Sequence, residues 1–435
     1  MFAVALTTTA LLVPVVRKFA IKHDIVDHPG GRRVNKKVTP RMGGLAMFAG
    51  VFVAVCVEYL FDYLGIWNGP IVVNGVFNGQ LLGVLAGFAC ITLIGVIDDV
   101  RSLPPWVKFA GQILAACIIV FSGTLFSNFK IPFSNTVTSL GIWAYPITII
   151  YLVAFANIIN LIDGLDGLAA GITGISALSL FVLTVGLTKN DAALVAIILV
   201  GICVGFLFYN FNPATIFMGD SGSLLIGMML GTVSLLGATR FSSVTSLAVP
   251  IVIAGVPVID TFSAIIRRLR GHQRIDQPDT GHIHHRLLRK GFSQKKAVLI
   301  IYAWTALLCV GASVLWSIEG ILKYLLLVIL LIVSTGIIHY LGLFGPVLQH
   351  TKSNRMGQAK GIRVRMKSRS KNNGLKNEST AEECAAENTK KSTNDDQYNS
   401  SYKNDTGNAT HNDNKKNITK SAGRNTFNNE SATKQ

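Results

Sequence analysis

Ten stretches of this chain are apolar for the length, about 17 to 25 residues, that an α-helix needs to cross a bilayer. They run near 43–62, 80–97, 107–123, 142–158, 168–188, 192–209, 222–239, 245–266, 297–316 and 321–342. Residues 2–16 form an eleventh, shorter run. No basic residue precedes that run as in a signal peptide; Arg17 and Lys18 follow it, as for a helix whose carboxyl end faces the cytoplasm. The expectation is an all-α, polytopic integral membrane protein with about eleven transmembrane helices. Composition agrees, since 14% of residues are charged against roughly 25% in an ordinary soluble domain.

Alternation of eleven spans puts the loops at 17–42, 98–106, 159–167, 210–221 and 267–296 on one side. That side, with the first residues of its adjoining helices, carries 19 of the 23 Lys and Arg before residue 349; Lys130, Lys189, Arg240 and Lys323 make up the rest. By the positive-inside rule it is the cytoplasm, so the expected location is the plasma membrane with the functional face inward. The net charge of +17 then reflects orientation and an attraction for anionic substrates, and nucleic acid is not an expected partner. Five cysteines sit singly in apolar spans and Cys384 lies beyond them, which gives no disulfide framework.

Two regions are expected: a membrane domain over 1–348 and a tail over 349–435. The tail is rich in Asn, Lys, Ser and Thr with few large apolar residues, a composition that does not bury a core and reads as disordered. Its N-x-S/T triplets, such as Asn404-Asp405-Thr406, arise from that composition and lie on the expected cytoplasmic side.

Acids are scarce in the membrane domain, where 14 Asp and Glu precede residue 349, so each needs a reason. Four polar motifs meet the same expected face: GVIDDVRSLPPWVKF, NIINLIDGLDGLAAG, FNPATIFMGDSGS and GHIHHRLLRKG. Asp98 and Asp99 end a span, where two like charges raise one another's pKa unless a cation or base sits between them; a metal or a Lys would satisfy them, and the plain alternative is a solvated helix end. Lys108, at the start of the next span, reads either as facing an anionic phosphate or as orienting the span. Asn157, Asn160, Asp163 and Asp166 recur every third position. That spacing drifts about 60° per step around an α-helix, so they do not share one helical face. Gly164 and Gly167 instead end the helix near Ile162 and turn the chain through a GLDG loop, which at membrane depth must line a polar cavity. Carboxamides and carboxylates there suit a hard cation or the donor edge of a nucleobase; the plain alternative is a polar hinge. Asp220 stands at a helix start and reads either as a cap or as a ligand for Mg²⁺, which takes one or two carboxylates together with phosphate and water. His272, His282, His284 and His285 gather with several Arg, including Arg286. With neither Cys nor HExxH nearby, they suit diphosphate oxygens better than Zn²⁺.

Taken in order, KKVTPRMGG, IDD…K, NxxNxxDGxDGL, NPAxxxMGDSGSL and HIHHRL closely resemble the polyprenyl-phosphate N-acetylhexosamine-1-phosphate transferases of glycosyltransferase family 4. The likeness runs over roughly residues 32 to 292. It implies that a polyprenyl phosphate attacks the β-phosphorus of a UDP-sugar and releases UMP. It implies that Asp220 and Asn160 hold Mg²⁺, with Mn²⁺ as a substitute, and that the catalytic residues are Asp98 and Asp99, beside the lipid phosphate, and Lys108, on the diphosphate oxygens. Asn157, Asp163 and Asp166 would bind substrate, with Asp166 facing the uracil, and His282, His284, His285 and Arg286 would bind it too, the His282–His285 region at the diphosphate oxygens. HIHHRL resembles the form in enzymes that take UDP-N-acetylglucosamine (UDP-GlcNAc); the MurNAc-pentapeptide transferases resemble one another in a three-His run missing here. Undecaprenyl phosphate, UDP-GlcNAc and the lipid bilayer are thus the expected partners, a homodimer is left open, and the product would prime a polymer such as teichoic acid.

The residue chemistry fits such an exchange: one phosphoanhydride breaks while another forms, so no ATP loop is needed and none of the GxxxxGKS kind is present. A secondary transporter is the rival of another class, but transport sites lie at the midplane between repeated halves. A CDP-alcohol phosphotransferase would need an Arg that DGLDGLAAG does not supply.

Overall fold

The computed structural model describes residues 1–27, 38–67, 69–73, 76–130, 137–187, 190–238, 251–270, 281–318 and 320–342. The expected tail at 349–435, His272, and Lys36 and Lys37 lie outside the described residues. Twelve helices are described: α1 Phe2–Lys22, α2 Gly43–Tyr63, α3 Gly79–Val100, α4 Pro105–Phe121, α5 Ala144–Ile162, α6 Leu168–Gly186, α7 Asn190–Asn210, α8 Gly219–Ala238, α9 Gly255–Arg270, α10 Ile283–Arg289, α11 Gln294–Ser317 and α12 Ile321–Leu341. Three short antiparallel hairpins, such as Val26–Asp27 with Thr39–Pro40, are the only sheets among the described residues. The chain is an all-α, multi-pass membrane protein.

Nine of these helices are long and apolar enough to span a bilayer, and α4, at 17 residues, is a tenth apolar helix. The first run becomes a 21-residue helix that extends through Lys22. The span expected over 245–266 is described from residue 251, and α9 carries it on to Arg270.

Helix α8 is the axis of the bundle: 89% of its spanning window is buried, against 11% for α12. Around it pack α2, α3, α5, α6 and α7, while α1 lies against α2 and α7. Small residues make this possible. Gly44 of α2 and Gly95 of α3 lie against the backbone of Ser221 and Gly222, where a Cβ would collide with main chain. Close approach of backbones through small residues is the usual basis of helix association in lipid, where no hydrophobic force drives it. The consequence for function is that the first turn of α8, which carries Asp220, is wedged between α2 and α3.

Candidate active site

The two acids at the end of α3 diverge. Asp99 turns toward α8: one carboxylate oxygen accepts the Asp220 amide at 2.8 Å, and the other accepts the Ser221 amide at 3.1 Å and the Ser221 hydroxyl at 2.6 Å. A helix start leaves its first N–H groups without partners and bears a partial positive charge; Asp99 satisfies both needs from a neighbouring helix. Gly219, at φ +69°, lets the chain enter α8 with the Asp99 carboxylate against it. Asp98 turns the other way, accepting the Leu103 amide at 2.7 Å and pairing with the Lys108 ammonium at 3.0 Å.

Lys108 bridges. Its ammonium is also 2.7 Å from one oxygen of Asp220, whose other oxygen accepts Asn160 Nδ2 at 2.5 Å. Asn160 Nδ2 also reaches the Ser223 hydroxyl at 2.8 Å. Asp98, Lys108, Asp220 and Asn160 thus form one chain of contacts across α3, α4, α8 and α5. The ammonium lies between Asp98 and Asp220 and not between the two acids of the DD motif: Asp98 finds its counter-ion in Lys108, whereas Asp99 is met by the N–H groups and hydroxyl at the start of α8.

The GLDG loop is fixed from behind. Helix α5 stops at Ile162 and α6 begins at Leu168. Asp166 accepts Asn212 Nδ2 at 2.9 Å and the Ala214 amide at 3.0 Å, while the Gly167 amide donates to Asn210 at 3.0 Å. These bonds tie the loop to the segment that leads into α8. They leave Asp163 facing a cavity with no hydrogen-bond or ion-pair partner among the described residues. Its carboxyl is pushed up to about 7, first by burial and then by the negative charges of Asp220, Asp99 and Asp166.

The cavity holds about 420 Å³ and is lined by Asp99, Asn160, Asp163, Asp166, Asp220 and His285, together with Asp27, Arg41, Asn210 and Gln294. Arg41, from the motif that precedes α2, is paired there with Asp27. Gln294, first residue of α11, has a buried Nε2 with no acceptor among the described residues. Lys108 and Asp98 stand one contact behind Asp220 and do not line the space.

Of the expected site residues, the structure brings Asp98, Asp99, Lys108, Asn160, Asp163, Asp166, Asp220 and His285 to this one place. Asn157 does not line it: the spacing-of-three drift turns it toward α4, where it exchanges two hydrogen bonds with Gln112 at 2.5 and 3.3 Å. His282 is buried and pairs through Nδ1 with Asp260 at 3.0 Å, while the same carboxylate accepts the Ile283 amide at 2.8 Å and so caps α10. His284 is buried against Gly164, with its Nδ1 lacking a partner among the described residues. Burial, then the neighbouring His285, pushes His284 down to about 3, so this ring is neutral at physiological pH. Arg286 donates to the carbonyls of Gly281, at 2.9 Å, and Gly342 rather than lining the cavity. Asp260, Asp27, Arg41 and Gln294 are the residues at or behind the site that motif reading did not assign. A lone Asp within the apolar run 245–266 was the available signal for Asp260.

Five acids and three carboxamides line one cavity, with Arg41 and His285 also in its wall and Lys108 behind Asp220, a lining that can hold a cation among the acids and an anion against the basic groups. The family model for glycosyl transferase family 4 matches residues 81–238, which include the DD pair, the GLDG loop and Asp220, and the chain belongs to that family. Within it, the chain is 38% identical over 342 residues to a Bacillus subtilis protein named "Probable undecaprenyl-phosphate N-acetylglucosaminyl 1-phosphate transferase", covering 79% of this chain and 91% of the relative. It is 38% identical over 320 residues to the decaprenyl-phosphate N-acetylglucosaminephosphotransferase of Mycolicibacterium smegmatis, covering 68% of this chain and 77% of that one. The phospho-N-acetylmuramoyl-pentapeptide-transferase of Desulforamulus reducens is more distant, at 30% over 332 residues, with 72% of this chain and 94% of the relative covered.

Proposed function

We propose that this protein transfers N-acetylglucosamine 1-phosphate from UDP-GlcNAc to a polyprenyl phosphate, undecaprenyl phosphate in particular, releasing UMP and leaving a lipid-diphosphate-GlcNAc. The observation that carries the reading is the convergence of Asp220, Asn160, Asp163 and His285 on one cavity, with Lys108 and Asp98 in contact behind Asp220. The N-acetylglucosamine donor is favoured over a MurNAc-pentapeptide donor by the higher identity to relatives named for the former.

A lipid phosphate oxygen forms a bond to the donor's β-phosphorus as the bond from that phosphorus to the bridging oxygen breaks; the bridging oxygen leaves with UMP. The main barrier is repulsion between two anions, which fixed positive groups lower. Lys108 and Arg41 supply such charge, and His285 supplies a donor in the lining of the cavity. Direct attack by the lipid is favoured over a covalent aspartyl intermediate. A phosphate monoester with a second pKa of about 6 is already largely dianionic at neutral pH. Both acids of the DD pair are also engaged elsewhere, Asp99 in capping α8 and Asp98 with Lys108 and Leu103.

The donor set fits Mg²⁺, with Mn²⁺ as a substitute: Asp220 and Asn160 would hold it, and the partnerless carboxylate of Asp163 faces the same cavity. Mg²⁺ takes one or two carboxylates together with phosphate and water ligands. Such an ion would neutralise charge on the donor diphosphate. The basic loops support a cytoplasmic position for the cavity, in the plasma membrane, with a product that primes a surface polymer such as teichoic acid.

The test uses membranes containing the protein, undecaprenyl phosphate and labelled UDP-GlcNAc. UMP and labelled lipid should appear in equal amounts, only with Mg²⁺ or Mn²⁺, and added UMP should reverse the reaction. Release of UDP instead of UMP, or sugar flux without UMP, would overturn the proposal. So would a phospho-aspartyl enzyme trapped with donor alone, for the direct mechanism.

A further inference from the structure

The short helix α10 presents His285 to the cavity, yet with 7 residues it is too brief to hold itself in place. Its amino end is fixed by Asp260 of α9, through the His282 ring and the Ile283 amide. Its outer side is fixed by a different element. Arg286 bridges the Gly281 carbonyl, through Nε at 2.9 Å, and the Gly342 carbonyl, through Nη1. One turn later Lys290 donates to the Tyr340 carbonyl, and its ammonium lies 3.6 Å from the centre of the Tyr340 ring. Both acceptors belong to the end of α12, whose last carbonyls lack helical partners and carry the negative end of the helix dipole. Gly342, at φ +66°, closes that helix in the left-handed conformation.

We infer that the carboxyl end of α12 is a positioning element for the active site, holding α10 by Arg286 and Lys290 so that His285 is aimed into the cavity. Arg286 thereby acts on the reaction through His285 and not by touching the donor. This assigns a role to a helix beyond the motif-bearing part of the chain. It rests on the reading of the cavity as the donor site.

The decisive variant is Gly342→Val. It forces a branched side chain into the left-handed region and displaces the carbonyl that Arg286 uses, while changing no charge and no cavity residue. Turnover should fall on the order of ten- to a hundredfold, as expected for a reacting group misplaced by about 1 Å. KM for UDP-GlcNAc should stay within about threefold, and amide exchange over 283–289 should rise. Arg286→Ala should give the same split, Arg286→Lys should recover only part of it, and the double variant should be no worse than either alone, as for residues in one contact. Wild-type turnover in Gly342→Val, or Arg286→Ala acting on KM alone, would overturn the inference and return Arg286 to the donor. A loss of folded protein with unchanged turnover per folded molecule would also overturn it. Failure of the unaltered protein to release UMP would instead strike the reading of the site.

Discussion

Substituting Asp99 by Asn separates a cap from a catalyst. The carboxylate accepts from two backbone amides and a hydroxyl at the start of α8. An Asn has one acceptor oxygen, so either the Asp220 or the Ser221 amide must face an NH₂ group. One unsatisfied buried donor costs about 1–3 kcal/mol, and loss of the negative charge from a helix start adds about 0.3–1 kcal/mol. The expected destabilisation is therefore about 1.3–4 kcal/mol by those two terms, concentrated on the turn that carries Asp220. The assay pairs a thermal midpoint in detergent with Mg²⁺-dependent UMP release. Asp99→Asn should lower both, whereas Asp98→Asn, which keeps an oxygen for the Leu103 amide, should lower turnover with a smaller change in midpoint. If Asp99→Asn abolishes turnover at an unchanged midpoint, the capping argument is wrong and the carboxylate works in the chemistry.

Three further outcomes follow from the geometry. Lys108→Met leaves Asp98 and Asp220 without their shared cation and should cut kcat by about 10²–10³; a rate within a few-fold of the unaltered protein would show that the bridge is not used. Asn157→Leu should destabilise the bundle by stranding Gln112, and Asn157→Leu with Gln112→Leu should recover much of the loss, since removing both partners of a buried bond costs less than removing one. A rise in donor KM that persists in the double variant would return Asn157 to the substrate. For Asp163, the folded carboxyl sits near 7 against an ordinary 3.8, so between those values the fold keeps a proton that the unfolded chain has lost. Stability without cation should therefore fall as pH rises through that window. A cation that displaces this proton should bind about tenfold tighter per pH unit up to 7 and level off above it. Calorimetric Mg²⁺ titration between pH 5.5 and 8.5 should lose that slope in Asp163→Asn; a slope kept in the variant would assign the proton elsewhere.

Much of this arrangement was legible in the order of residues. Apolar length gave the spans, because a chain in hydrocarbon has few ways to satisfy its backbone other than an α-helix, and parity gathered the motifs at one face. The stop at Ile162 was legible from the two glycines of GLDG. What each polar side chain touches was not. Asp98 and Asp99 are adjacent in the chain, yet one serves Lys108 and the other α8, since successive side chains on a helix diverge by about 100°. Arg286 looked like an anion donor because its chemistry suits a phosphate equally with a helix end. Asp260 was hidden in an apolar run, where its partner, the His282 ring, lies 22 residues away.

The account turns on a divalent cation held between the GLDG loop and the first turn of α8. Fe²⁺ supplied in place of Mg²⁺, with UDP-GlcNAc, hydrogen peroxide and ascorbate to re-reduce the iron, generates radicals that cut the backbone beside the ion, and the fragments can be read by mass. Cuts should cluster at residues 160–166 and 218–221, compete away with Mg²⁺ and vanish in Asp220→Asn. Cuts confined to the other end of the helices, or unchanged in that variant, would contradict it.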